Sequence, residues 1–283
     1  MTLPDINASV VAPAELTAGF SNAYFYTGAD GAMVCWAPVT GGTTSASDFP
    51  RCELREKLNP TDNSINWLAF GTHVLDARCR VTQLPSTKRV VIGQIHSYLG
   101  DAPPLLLLVF NDGNIEGQVK LVSTSSNNVT YALGPVALGK DIQYQIQMRD
   151  GVVSMTVNGT TRTVDVFATD PAWKTQTYYF KAGAYCLDNE GVSTEGAKVR
   201  FFRLNVQHDT ACVILNVSTD PARCCLTWTS EPGNQYYVQG ATSMNQTQWF
   251  TLSANLTAHG DTISYCVPLP SPYRYFRVGM VTP

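Results

Sequence analysis

Neither a C-x-x-C pair nor an H-E-x-x-H or EF-hand pattern occurs in the 283 residues, which removes the common spacings of zinc, redox and calcium-loop sites. No run of 18 apolar residues is present. The strongly apolar stretch PPLLLLVF, Pro103 to Phe110, is too short to cross a bilayer and is expected to form a buried strand. Sustained helical periodicity is missing throughout. Charged residues make up only 14% of the chain and the net charge is -3, so a protein that holds nucleic acid through its general field is excluded. An anionic partner must then be met by a local basic site. The first ten residues, MTLPDINASV, have neither a basic n-region nor an apolar h-region, so no signal peptide is read there.

What the chain does have is 44% hydrophobic residues, enough for a real core. Val, Thr, Ile, Tyr and Phe recur in short alternating runs broken by Gly and Pro, the pattern of an all-β protein. Turn clusters such as TGADG, NDGN, RDG and VNGT point to antiparallel hairpins. In QYQIQMRDGVVSMTVNGTTRTV, alternating runs flank Asp150-Gly151 and Asn158-Gly159, which predicts consecutive hairpins on the rear of a sandwich. The texture pauses at QHDTA (Gln207 to Ala211) and restarts with about six short strands, so the expected domains are 1-207 and 208-283, the second a small β-sandwich.

Four cysteines (Cys35, Cys52, Cys79, Cys186) fall in the first domain and four (Cys212, Cys224, Cys225, Cys266) in the second. That split is what two separately stapled domains give, and it places the chain in an oxidising compartment, secreted or periplasmic. Cys224 and Cys225 are neighbours in a strand, so they point to opposite faces and take different partners. Trp228, Trp249, Tyr236 and Tyr237 alternate as core residues do.

Three segments carry ionisable groups on one strand face. In FPRCELREKL, Arg51, Glu53 and Arg55 share a face, with Cys52 and Leu54 on the other. The face fits a solvated row of ion pairs or a binding surface. In RVVIGQIHSYL, Gln94 and His96 share a face while Ile95 points away: a structural histidine, or an amide donor beside a proton acceptor. In TYYFKAGAYCL, Tyr179, Lys181, Gly183 and Tyr185 line one face, where the glycine leaves room for a ligand. Three polar faces backed by apolar ones favour one shared cleft.

These motifs, R-C-E-L-R-E, Q-I-H and Y-F-K-A-G-A-Y in that order, closely resemble the three signature segments of the alginate lyases of polysaccharide lyase family 7. The lead-in WAPVTGGTTSASDFP also resembles that family's approach to its first motif, and the likeness extends over about residues 14 to 207. The resemblance implies a jelly-roll β-sandwich of two antiparallel sheets with the motifs on a concave face. It implies β-elimination at a uronate of an anionic polysaccharide, alginate or a related polyuronate such as glucuronan. Arg51 and Gln94 would neutralise the carboxylate, while His96 and Tyr185 would exchange protons. Glu53, Arg55, Lys181 and Tyr179 would bind and orient. No metal or cofactor is implied, and neither a nucleic-acid nor a membrane partner; a monomer is expected. Ile95 in Q-I-H resembles the variant linked to guluronate-containing substrates. A non-catalytic carbohydrate-binding jelly roll is the contrasting reading, and it leaves the Gln94, His96 and Tyr185 set without a use. The C-terminal part, with its L-x-W, P-G-x-x-Y-x-V and Y-F-R-V strands, loosely resembles fibronectin-like modules.

Cys52 and Cys186 stand where the family pattern has other residues, and Leu187 follows where it has a polar one. Beneath the site face, a Cys52 to Cys186 disulfide joining the first and third motif strands is expected. The acidic loop DNEGVSTEG (Asp188 to Gly196) is expected to be solvated rather than to hold calcium.

Overall fold

The structure is a computed structural model that describes residues 1-98, 104-209, 214-243 and 248-281. Pro103, Cys212 and Asn245, the last heading an N-x-[ST] sequon, lie outside the described residues. The described chain falls into two compact units, Met1–Ala69 with His73–Gln207, and Phe70–Thr72 with His208–Pro283.

Fourteen strands build the first unit. They are β1 (Phe25–Thr27), β2 (Met33–Pro38), β3 (Arg51–Arg55), β4 (Trp67–Leu68), β5 (Thr72–Gln83), β6 (Arg89–Ser97) and β7 (Pro104–Asn111). Then follow β8 (Asn114–Val119), β9 (Val129–Pro135), β10 (Ile142–Arg149), β11 (Val152–Val157), β12 (Thr160–Asp165), β13 (Thr177–Cys186) and β14 (Gly196–Asp209). One sheet runs β3-β13-β6-β7-β8-β9, with β4 also on β13; the other runs β1-β2-β14-β5-β10-β11-β12. The pairings are antiparallel, and the non-sequential order is that of a jelly roll.

Alternation explains why the two sheets stack. Along β10, Ile142, Tyr144, Ile146 and Met148 are buried and the residues between them are not. The hairpins at Asp150-Gly151 and Asn158-Gly159 form as expected, with positive φ at both turn residues, and they lie in the sheet without the motifs. Strand β7, the expected buried strand, contributes Leu105, Leu106, Leu108, Val109 and Phe110 to the interior. Tyr144 reaches across the core and donates from its hydroxyl to the carbonyl of Ile92 at 2.9 Å, beside an irregularity in the β6 ladder at Val91 to Gly93. Gly93 also faces this core, since a Cβ there would press on Ile146 and Tyr144 at 3.0 Å.

The cysteines of this unit correct the sequence expectation. Cys35, Cys52, Cys79 and Cys186 are all free and buried. Cys52 pairs across the ladder with Ala184, while the amide of Cys186 donates to Pro50, so the two thiols are not opposite one another. The Cys52 thiol donates instead to the Tyr24 carbonyl at 3.2 Å. A hydrogen bond with Cys52, then burial, pushes the Cys35 thiol well above its ordinary range. These cysteines act as small core residues.

The second unit has β15 (Ile214–Thr219), β16 (Arg223–Thr229), β17 (Gln235–Ala241), β18 (Phe250–Thr251), β19 (Leu256–Thr257), β20 (Thr262–Pro268) and β21 (Tyr275–Met280). One small sheet runs β15-β16-β20; the other groups β18, β19 and β21 on β17. Leu226, Trp228, Tyr236, Val238 and Ala258 form its core. Cys225 and Cys266 face each other across β16 and β20 and are disulfide-bonded, while Cys224 is buried and free. Trp228 and Tyr236 are core residues as expected; Trp249 and Tyr237 are only half-buried, and the Trp249 ring lies under Arg277 at 4.5 Å.

Candidate active site

Strand β13 is the spine of the site, with β6 on one side of it and β3 on the other. The register sets the order of the functional side chains. His96 stands opposite Tyr179, Gln94 and Arg55 opposite Lys181, Glu53 opposite Gly183, and Arg51 opposite Tyr185. The intervening residues Tyr178, Phe180, Ala182, Ala184 and Cys186 turn into the core, which holds the polar row on the outer face of the sheet. All eight candidate residues from the sequence therefore share one face.

Glu53 is the hub. It is 1% exposed, ion-paired to Lys181 at 2.6 Å and to Arg51 at 3.6 Å, and it accepts a hydrogen bond from the Gln94 amide nitrogen. Burial by itself would raise the Glu53 carboxyl, but Lys181 and Arg51 outweigh it and hold it below the usual carboxylate range. Burial lowers the Lys181 ammonium, with Glu53 opposing. Glu53 thus stays ionised and fixes which way the Gln94 amide points. Arg51 is placed differently. Its guanidinium lies 3.9 Å from the centroid of the Tyr185 ring, and its Nε is buried without a hydrogen-bond partner among the described residues. A buried guanidinium donor left unpaired is costly unless an acceptor arrives from outside.

At the other end of the row, His96 stacks on Tyr179 at 5.1 Å. Its Nδ1 lies 2.6 Å from the Ser97 carbonyl, which can only accept, so Nδ1 carries the proton and Nε2 keeps a free lone pair. Burial, then the Lys181 charge, lowers this imidazole to about 4. It is neutral at pH 7 and able to take a proton. Burial raises the Tyr179 hydroxyl, against the pull of Arg55, so Tyr179 stays protonated and serves as a platform.

A family model described as alginate lyase matches residues 1-208 of this sequence. The chain belongs to the alginate lyase family. Among solved structures it is similar to alginate lyase A1-II', a member of polysaccharide lyase family 7, at 41% identity and a TM-score of 0.72, covering 74% of this chain and 94% of that one. A form of A1-II' with a histidine replaced by asparagine and a tyrosine by phenylalanine, in complex with substrate (GGMG), matches at 41% identity and a TM-score of 0.71, covering 74% and 92%. An alginate lyase from Pseudomonas aeruginosa is 35% identical, with a TM-score of 0.68 and coverage of 74% and 96%. Comparison with curated proteins gave no match. The chain is a polysaccharide lyase of the alginate lyase type, on the jelly roll of that family.

Within this lyase, three residues differ from what the sequence alone suggests. Arg55 donates to the carbonyl of Asn63 at 2.9 Å and to Asn66 Oδ1 at 2.8 Å, and its guanidinium covers the Tyr179 ring at 3.9 Å. Its donors hold the loop after β3 together with the platform. Gly183 makes room for protein rather than ligand: a Cβ there would overlap the Cys52 carbonyl and approach Glu53 Cα to 2.6 Å. Asp188 is buried and accepts from Ser86 Oγ at 2.9 Å and the Thr87 amide at 3.1 Å, so it anchors the start of its loop, while residues 189-194 are exposed as expected.

Other residues went unnoticed in the sequence. Glu56, the last residue of RCELRE, accepts from Trp67 Nε1 at 2.9 Å and the Phe180 amide at 2.8 Å, clamping β4 to β13. Tyr98 meets Tyr179 edge-on at 6.4 Å and extends the aromatic wall. Ser47, in the lead-in to the first motif, has its hydroxyl 2.9 Å from that of Tyr185. Only the family lead-in pointed toward this last residue, and not to its contact.

Proposed function

We propose that this lyase cleaves guluronate-containing or mixed blocks of alginate by β-elimination, endo-wise, leaving 4,5-unsaturated uronate ends. The observation that carries this reading is that a buried, unpartnered Arg51 donor from β3 and a neutral His96 from β6 flank β13 on one face, with the Gln94–Glu53 pair between them. A uronate carboxylate is the acceptor Arg51 lacks, and the second N–H of Gln94, whose first goes to Glu53, supports it. Neutralising the carboxylate acidifies the C5 proton and stabilises the enolate-like intermediate.

In guluronate the C5–H and C4–O4 bonds are anti, so base and acid must approach from opposite sides of the ring. His96 Nε2 at one end takes the C5 proton, and the Tyr185 hydroxyl at the other protonates the departing O4. In mannuronate the two bonds are syn, and Tyr185 would serve both steps. The histidine and tyrosine replaced in the substrate complex of the A1-II' relative support the choice of these two residue types. The protein would work as a secreted or periplasmic monomer, with 208-283 as an accessory β-sandwich domain of which the family model reaches only the first residue.

The test is the ultraviolet absorbance of unsaturated uronate, followed on polyguluronate, polymannuronate, mixed alginate and glucuronan, with product sizes over time. Signal on guluronate-containing polymers with a spread of early product lengths is expected. A folded protein that gives signal on none of the four overturns the reading.

A further inference from the structure

The loop before β3 brings one more group to the reacting atoms. Ser47 is half-buried, its amide donates to the Thr44 carbonyl at 3.0 Å, and its Oγ is wrapped by its own loop: it receives the Phe49 amide at 3.2 Å and reaches the Phe49 carbonyl at 3.2 Å. The loop is tied from outside as well, since Asn189 Nδ2 donates to the Asp48 carbonyl at 3.1 Å. The ring of Phe49 meets the Tyr185 ring edge-on at 6.5 Å. The Ser47 oxygen therefore sits at a fixed point, 2.9 Å from the Tyr185 hydroxyl.

A hydroxyl has one hydrogen to give and two lone pairs. The Phe49 amide fills one lone pair of Ser47, which leaves one lone pair and one hydrogen to be shared between Tyr185 and the Phe49 carbonyl. With Tyr185 protonated and no leaving oxygen before it, the phenol donates to Ser47 and Ser47 donates to the Phe49 carbonyl; with the leaving oxygen in place, the phenol turns its one hydrogen to that oxygen and accepts from Ser47 instead. With Tyr185 ionised, the Ser47 hydrogen, turned by that one torsion, donates to the phenolate. The Ser47 oxygen need not move in any of these states.

We propose that Ser47 is a positioning residue that aims the Tyr185 hydroxyl at the leaving oxygen and then donates a hydrogen bond to the phenolate formed when that proton leaves. The proposal rests on the role given to Tyr185 above. In the elimination, His96 takes the C5 proton, the C5–H electron pair becomes the C4–C5 double bond, the C4–O4 bond breaks, and O4 receives the Tyr185 proton. Negative charge develops on the Tyr185 oxygen in that step; afterwards the proton held by His96 passes to solvent and solvent returns one to Tyr185. The charged group set against Tyr185 is Arg51, over its ring from β3, with Glu53 behind Arg51 and paired in turn to Lys181 of β13; His96 of β6 stands opposite Tyr179. Arg51 meets the ring face, so Ser47 supplies the hydrogen bond in line with the oxygen.

The test compares Ser47→Ala, Ser47→Thr and Tyr185→Phe in the full chain, on polyguluronate, over a range of pH. Ser47→Ala should lower kcat roughly tenfold or more, as expected for a lost hydrogen bond to a charged group, with KM within about twofold. The limb of its pH–rate profile governed by Tyr185 should move up by about one unit, and Ser47→Thr should keep most of the wild-type rate. Carbon-13 labelling of the tyrosine ζ carbons gives a readout independent of turnover: the signal that Tyr185→Phe removes should titrate at higher pH in Ser47→Ala. Wild-type kcat and pH profile in Ser47→Ala, or an equal loss in Ser47→Thr, overturns the role of Ser47 while the lyase reading stands. Full activity in Tyr185→Phe removes the role of Tyr185, and this one with it.

Discussion

At the scale of single residues, the site depends on ionisation states set by burial. His96 is the clearest case: its imidazole is lowered from 6.5 to about 4, first by burial and then by Lys181, so it is a free base across the neutral range. The acid limb of kcat/KM on polyguluronate should therefore fall near pH 4, and a limb at 6.5 or above would contradict the burial seen here. The same shift has a consequence for stability. Between about 4 and 6.5 the unfolded chain binds a proton at this position that the folded chain refuses, so stability falls as pH drops through that window. Glu53, held below its ordinary range, acts in the same direction at the acid end. Charge on this face is thus kept at Glu53, Lys181 and Arg51, and kept off His96.

At the scale of elements, period-2 alternation made most of the site legible. It put Arg51, Glu53 and Arg55 together, Gln94 with His96, and Tyr179, Lys181 and Tyr185 together, and each set does share the outer face. Alternation could not show which strands are neighbours; the three motifs meet because β13, far along the chain, inserts between β3 and β6. Nor could it show contacts made by loops, which is why Ser47, Asn63, Asn66 and Tyr98 were missed. Gly183 was misjudged for a related reason: a strand glycine signals a close approach, but the partner is the β3 backbone rather than a ligand. Gly183→Ala should push β3 off β13 and carry Arg51 and Glu53 with it. We expect destabilisation of about 1–3 kcal/mol, as for overpacking elsewhere. Turnover should fall on the order of a hundredfold, the effect of misplacing catalytic groups by about 1 Å. Denaturant unfolding and the uronate assay on the same preparation measure both, and an alanine variant equal to wild type in each would refute this account of Gly183.

At the scale of the whole molecule, the two units are held by different means. The first has a continuous core between two sheets in which Cys35, Cys52, Cys79 and Cys186 are packed as free thiols, while the second has a small core and the Cys225–Cys266 bond. The cysteine count alone could not distinguish these cases, because a buried thiol and a disulfide leave the same mark in a sequence. Reductant should therefore leave lyase activity unchanged, and loss of activity on mild reduction would show a disulfide in the first unit. In the proposed anti elimination, His96 is the base and Tyr185 the acid of one row of side chains. The most direct measurement of these roles is the initial rate of unsaturated-uronate formation on polyguluronate for wild type, His96→Asn and Tyr185→Phe, each checked for intact folding. A clear rate is expected for wild type and a loss of at least about a hundredfold in each variant, the scale of general acid–base catalysis. Two folded variants that keep the wild-type rate would contradict both roles.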